Sequence, residues 1–178
     1  MNLNTILAGS LYSVMQAFER SQAIISFKTD GTILDANENF CKAVGYSRDE
    51  IIGKSHRMFV KPSDAQSAEY AAFWKRLGSG EFVRDQYKRI GKNGREIWLE
   101  ASYNPVIRGG KVIKVVKIAT DITESKRESL ESKGKLDALS RAQAVIEFTP
   151  DGKILTANKN FLDTLGYSLD EIVGEHHQ

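Results

Sequence analysis

Leu3, Leu7, Leu11, Val14 and Phe18 recur at intervals of three and four, which places them on one stripe of a helix over residues 1–18. Such a stripe must be covered, either by the sheet of its own domain or by the same helix of a second chain in a short coiled coil. After Gln22 the pattern becomes β-rich. Ala23 to Phe27 form a first strand, Thr29-Asp30-Gly31 a turn, and Thr32-Ile33-Leu34 the start of a second strand, which together predict a hairpin. Asn37 is placed to cap a short helix carrying Phe40 and Val44, Gly45 to end it, and Ser47 with Glu50 to box the start of another. Pro62 and Ser63 predict the opening of a longer helix, with Gln66 at its capping-box position and Tyr70, Phe73, Trp74 and Leu77 on one face. Strand patterns follow over residues 82–90, 96–106 and 112–122, separated by Lys92-Asn93-Gly94 and Arg108-Gly109-Gly110 turns. The order predicts an α+β domain with helices gathered on one face of a five-stranded antiparallel sheet and a concave interior between the layers.

Alternation within the strands assigns faces. Over residues 96–106, Ile97, Leu99, Ala101 and Tyr103 fall on one face and Trp98, Glu100, Ser102 and Asn104 on the other. The first set is expected to line the interior, leaving Trp98 outside as an anchor for the N-terminal helix or a partner subunit. The last strand resists assignment, because Val112, Lys114, Val116 and Ile118 alternate with Ile113, Val115, Lys117 and Ala119 and each face carries a lysine.

The segment from Gln22 to His56 recurs from Gln143 to His177, with roughly twenty of about thirty-five positions identical. The chain therefore divides into an N-terminal amphipathic helix (1–18), one complete module (19–123), a charged helical linker (124–141) interrupted by Gly134, and the beginning of a second module (142–178). That truncated copy is expected to form a hairpin and short helices while exposing Ile146, Phe148, Ile154, Leu155, Phe161 and Leu165. A hydrophobic content of 41% suits a protein with a real core, and a net charge of +2 gives no field suited to nucleic acid. Cys41 is the only cysteine, so no intrachain disulfide forms, and no run of about twenty apolar residues predicts a membrane span. These features predict a cytoplasmic protein. No nucleophile with a base, framed carboxylate pair or phosphate-binding glycine loop is present, so no enzyme activity is expected.

The element order, the Asp30-Gly31 turn, Asn37, Gly45-Tyr46-Ser47, Gly53, Asn93-Gly94, Pro105 and the terminal Asp121-Ile122-Thr123 together resemble a PAS domain. Gly53 to Phe59, Phe73-Trp74 and Trp98 to Pro105 are most similar to the tandem PAS regions of bacterial methyl-accepting chemotaxis proteins, of the aerotaxis-transducer and biofilm-dispersion type. The resemblance implies a sensor for a small ligand or redox cofactor. Its output domain, outside this chain, would act on a chemotaxis kinase through a coupling protein. The alternatives are a ligand-free PAS module that dimerises and relays, or the PAS region of another signalling protein such as a histidine kinase or diguanylate cyclase.

The family binds haem, flavin, lipids, metabolites or nothing, so the fold leaves the ligand open. A haem held through histidine in the complete module would have to use His56, and no other metal site is expected; the structural alternative is a polar residue bonded at a helix end. By resemblance to light-sensing relatives, His56 stands where their flavin-reactive cysteine lies, which excludes a cysteinyl adduct there. Kinship with the aerotaxis transducer implies FAD as a candidate. Against it, this chain has Phe82 where flavin-type relatives carry tryptophan and Arg89 where they carry asparagine. Arginine offers donors only, so an inward Arg89 suits a carboxylate or phosphate; otherwise it faces solvent. The candidate lining is Asn37, Phe40, His56, Phe59, Phe82, Arg89, Leu99, Ala101 and Tyr103. The candidate signal exit is Asp121 with Thr123, where a carboxylate can cap the linker helix. The candidate homodimer contact is Leu3, Leu7, Leu11, Phe18 and Trp98.

Overall fold

The computed structural model describes residues 13–177, so Leu3, Leu7 and Leu11 lie outside the described residues. The chain separates into two units, Met1–Glu124 and Ser125–Gln178.

In the first unit, helix α1 covers residues 13–21. The hairpin follows as β1 (Ala23–Phe27) and β2 (Ile33–Ala36), then α2 (Glu38–Val44), α3 (Arg48–Ile51) and a 3-10 turn at His56–Phe59. Next come α4 (Pro62–Ala65), α5 (Ala68–Gly78) and three long strands, β3 (Val83–Ile90), β4 (Glu96–Arg108) and β5 (Lys111–Asp121). All neighbouring strands are antiparallel, in the order β2-β1-β5-β4-β3. The two ends of the module therefore meet at the centre of the sheet. The longer helix expected from Pro62 is two helices. Ser67 takes the N-cap position and its hydroxyl accepts from the Tyr70 N–H, so the chain restarts α5 there instead of running through Gln66.

The core lies between the helices and one sheet face, where Phe27, Phe40, Ile51, Leu77, Leu99 and Tyr103 are almost fully buried. Each such side chain contributes about 1.5–3 kcal/mol through its burial. Gly31 occupies a left-handed turn (φ 85°) directly beneath the Trp74 ring, where an added Cβ would come within 3.0 Å of the indole. Cys41 packs against the core, and burial pushes its thiol pKa up. β5 turns Val115, Lys117 and Ala119 inward, which settles the face that alternation left open.

Two asparagines bind the entering helix to the module. The Asn37 side-chain oxygen accepts from the Phe40 and Ile24 N–H groups, both at 2.9 Å, while its amide donates to the Gln22 and Glu19 carbonyls. Asn39 donates to Glu19, Arg20 and Gln22 carbonyls. Those of Glu19 and Arg20 are carbonyls that the last turn of α1 leaves without helical partners, and Gln22 follows the helix directly. One side chain thus caps α2 at its start and helps close α1 at its end.

The linker is α6 (Thr123–Ala142), continuous through Gly134. The expected interruption does not occur: glycine weakens a helix interior by about 1 kcal/mol, and one such position does not break a helix of this length. In the second unit, β6 (Ile146–Phe148), β7 (Ile154–Ala157), α7 (Lys159–Leu165) and α8 (Leu169–Ile172) reproduce the start of the first module. The asparagine device recurs. Asn158 accepts from Val145 and Phe161 N–H groups and donates to Ser140 and Gln143 carbonyls, and Asn160 donates to Arg141. Phe148, Leu155 and Leu165 are exposed, whereas Ile154 is buried, because α8 closes over β7 with Ile172.

Two outcomes follow. Asn37→Ala should lower stability to urea unfolding by about 2 kcal/mol, through loss of a cap and of the groups satisfying the α1 carbonyls, whereas Asn37→Asp keeps the cap and should cost less. Equal stability of wild type and Asn37→Ala would show that water replaces the clamp. Gly134→Ala should raise α6 stability by about 1 kcal/mol, read as slower amide exchange in the middle of that helix; unchanged exchange would contradict continuous helix there.

Candidate functional site

The interior of the first module is polar at its centre. His56 and Lys117 are each 1% exposed and Tyr103 is fully buried. The 3-10 turn delivers His56 because the His56 N–H is held by the Gly31 carbonyl at 2.9 Å and Ser55 caps the turn through the Arg57 N–H. Its ring then lies between two phenols: Nδ1 is 3.0 Å from the Tyr70 hydroxyl on α5, and Nε2 is 3.0 Å from the Tyr103 hydroxyl on β4. A neutral imidazole fits, with one nitrogen donating and the other accepting. Phe27, Phe59 and Trp74 meet the same ring edge-on.

Tyr103 gathers the remaining groups. Lys117 lies directly opposite it across β4 and β5, with Nζ 5.1 Å from the Tyr103 ring centre and 5.5 Å from that of Phe40. Arg89 on β3 points inward, stacks on Tyr87 with its guanidinium carbon 4.5 Å from the ring centre, and brings Nη2 to 3.5 Å from the Tyr103 hydroxyl. Burial, reinforced by Arg89 and Lys117, holds His56 well below its ordinary 6.5. Burial likewise depresses Lys117, against the pull of Tyr103. Burial raises the Tyr103 phenol, but the Lys117 and Arg89 cations outweigh it and the net direction is down. Tyr87 is pushed up to about 12, chiefly by burial.

Phe40, His56, Phe59, Leu99, Ala101 and Tyr103 meet in the packed interior, with Arg89 at its edge. Two expected lining residues stand elsewhere. Phe82 is 67% exposed, because β3 begins at Val83 and Val83 takes the inward register position opposite Tyr103. Asn37 is committed to backbone partners at the α1–β1–α2 junction. Lys117, Tyr70 and Tyr87 join the site although none belongs to the candidate lining expected from the sequence. The signal available for Lys117 was its place in the Val115-Lys117-Ala119 alternation, masked by the lysine on the other face.

Haem held by His56 does not fit this arrangement, since tyrosine hydroxyls engage both ring nitrogens and aromatic edges enclose the ring. Nor does a flavin, whose planar ring system needs a slot where Tyr103, Phe27, Phe40 and Phe59 now pack.

At the exit, Asp121 Oδ1 accepts from the Thr123 N–H at 2.9 Å and from its hydroxyl at 2.5 Å. The Thr123 hydroxyl oxygen in turn accepts from the Trp98 N–H at 2.9 Å, and the Ile122 N–H donates to the Trp98 carbonyl. The strand that carries Tyr103 thus also holds the start of α6. Trp98 is half-buried on the outer face, and Phe18 on α1 is 51% exposed. On that face a hollow of about 360 Å³ is lined by Met15, Glu19, Ile24, Lys114 and Val116 among others.

A depressed His56 pKa makes stability depend on pH. The unfolded chain takes up a proton near pH 6.5 while the folded one does not, so stability is full above 6.5 and falls as pH drops below it. At pH 5.5 wild type should have lost about 1.4 kcal/mol relative to pH 7.5, and His56→Gln should lack that slope. The same slope in both proteins would show that His56 is protonated in the fold.

Comparison with known proteins agrees with the geometry. The family described as PAS domain matches residues 21–124 and 143–177. The biofilm dispersion protein BdlA of Pseudomonas aeruginosa is 50% identical over 165 residues, covering 92% of this chain and 40% of BdlA. The aerotaxis receptor of Escherichia coli is 32% identical over 99 residues, covering 56% of this chain and 19% of the receptor. The chain therefore spans less than half the length of either relative. Among solved structures, a domain of a sensory box sensor histidine kinase/response regulator from Geobacter sulfurreducens superposes with a TM-score of 0.55 at 28% identity, covering 65% of this chain and 96% of that domain. With the family matched across both copies and its fold present in the first, the chain belongs to the PAS-domain family.

Proposed function

We propose that this chain is the sensory region of a cytoplasmic chemotaxis-type receptor, that it binds a small ligand in the interior of its first PAS module, and that it has no catalytic activity of its own. The carrying observation is the shared strand. β4 presents Leu99, Ala101 and Tyr103 to the interior and, at Trp98, holds Thr123 at the first residue of α6. A ligand that shifts Tyr103 changes the strand to which the exit is bonded. The asparagine pair at the far end of α6 gives the second module a hold on the same helix. Kinship with BdlA and the aerotaxis receptor supports an output that acts on a chemotaxis kinase and coupling protein.

A second reading is a ligand-free relay scaffold working as a homodimer. It is favoured by the tight filling of the interior and by exposed Val14, Met15 and Phe18 on α1.

Ala101→Leu overpacks the interior at a cost of about 1–3 kcal/mol and imitates the displacement a bound ligand would impose. Amide exchange over residues 123–128 should change in Ala101→Leu and return towards the wild-type value when Thr123→Val is added, because the link to Trp98 is then absent. Exchange at those residues that ignores Ala101→Leu, or ignores the added Thr123→Val, would contradict relay through the exit.

A further inference from the structure

The buried polar groups of the first module are unbalanced in a specific way. Lys117 and Arg89 both reach Tyr103, and neither meets a carboxylate among the described residues. The acid on the same face of β3, Asp85, is exposed and accepts from the Gln86 N–H. Lysine can shed its proton when buried, but arginine stays charged, so at least one cation persists there. Three more buried polar atoms lack hydrogen-bond partners: Trp74 Nε1, Tyr87 Oη and Arg89 Nε. The Trp74 indole N–H lies close enough to the Tyr70 hydroxyl to lower that phenol's pKa against its burial, but falls short of full hydrogen-bond geometry, so the acceptor deficit rests chiefly on Arg89 and Tyr87. The indole and guanidinium nitrogens only donate, and the phenol can donate. What this group lacks is an acceptor, and its charge calls for a negative one.

We infer that the ligand of this interior is a small organic monocarboxylate, its carboxylate held by Arg89, Lys117 and the Tyr103 hydroxyl and its apolar body displacing the rings of Phe73 and Tyr87 beside Trp74. This rests on the sensory reading above and adds the ligand class. Phe73, Tyr70 and Tyr87 are half-buried and pack at the rim of the core beside Tyr103, so a compact ligand needs only their displacement, whereas a haem or flavin needs the whole core to part. The aromatic surroundings disfavour a phosphate dianion, which would leave most of its hydration without replacement.

The test uses the purified chain, calorimetric titration and mass spectrometry of whatever the denatured protein releases. Benzoate and hexanoate are the probes, with benzamide and hexanamide as uncharged counterparts. Each carboxylate should bind at least roughly tenfold more tightly than its amide. That preference should disappear in Lys117→Met and in Arg89→Gln, either of which serves if the other fails to fold, and persist in Lys111→Met, which removes a surface charge. Amides binding as well as carboxylates, or carboxylate preference surviving in both site variants, would overturn the ligand class while leaving a sensor of neutral ligands standing. If neither class binds and no small molecule is released, the sensory reading falls together with the inference.

Discussion

The hydrogen-bonded chain Tyr70–His56–Tyr103 spans the two layers of the first module. Tyr70 belongs to α5, His56 to the 3-10 turn after α3 and Tyr103 to β4, so one imidazole joins two helical elements to an interior strand of the sheet. Apolar packing around it is non-directional and would tolerate small slips of helix against strand. Two 3.0 Å contacts to opposite ring nitrogens do not, because a slip that breaks either leaves a buried polar atom unsatisfied, at about 1–3 kcal/mol.

The same chain places charge where the ligand is expected. Lys117 is held opposite Tyr103 by strand register, and Arg89 reaches the same phenol from the sheet edge. The second copy shows which part of this is local. His177, the counterpart of His56, receives the same backbone support, its N–H donating to the Gly152 carbonyl at 3.0 Å, and its ring meets Phe148 as His56 meets Phe27. Yet His177 is exposed, and among the described residues no strand corresponding to β3, β4 or β5 packs on it. The first thirty-odd residues of the module set the position of the histidine, and the meander supplies its partners.

Much of this was legible from residue pattern. Alternation placed Ile97, Leu99, Ala101 and Tyr103 inside, the Asp30-Gly31 and Asn93-Gly94 turns marked strand ends, and Ser47 with Glu50 marked the start of α3 through a capping box. The less legible parts have physical causes. Lys117 was hidden because lysine almost never lies fully buried, and a lysine on each face of β5 cancelled the periodic signal. The division between α4 and α5 depends on whether Gln66 or Ser67 acts as a boundary, and the Ser67 hydroxyl decides it by capping Tyr70. Phe82 was misplaced because an aromatic next to a strand reads as part of it, while the actual boundary is set by the pairing of Val83 with Tyr103. Asn37 was recognised as a helix cap, but its hold on α1 depends on the path of the preceding chain, which pattern alone does not give.

The measurement that bears most directly on this account is a double-mutant cycle between His56→Phe and Tyr103→Phe, read by urea unfolding of the first module. If the imidazole and phenol join helices to sheet as one unit, the second substitution should cost little once the first is made, giving a coupling of about 1–2 kcal/mol. Single effects that add to within about 0.5 kcal/mol would show two independent residues and contradict the account.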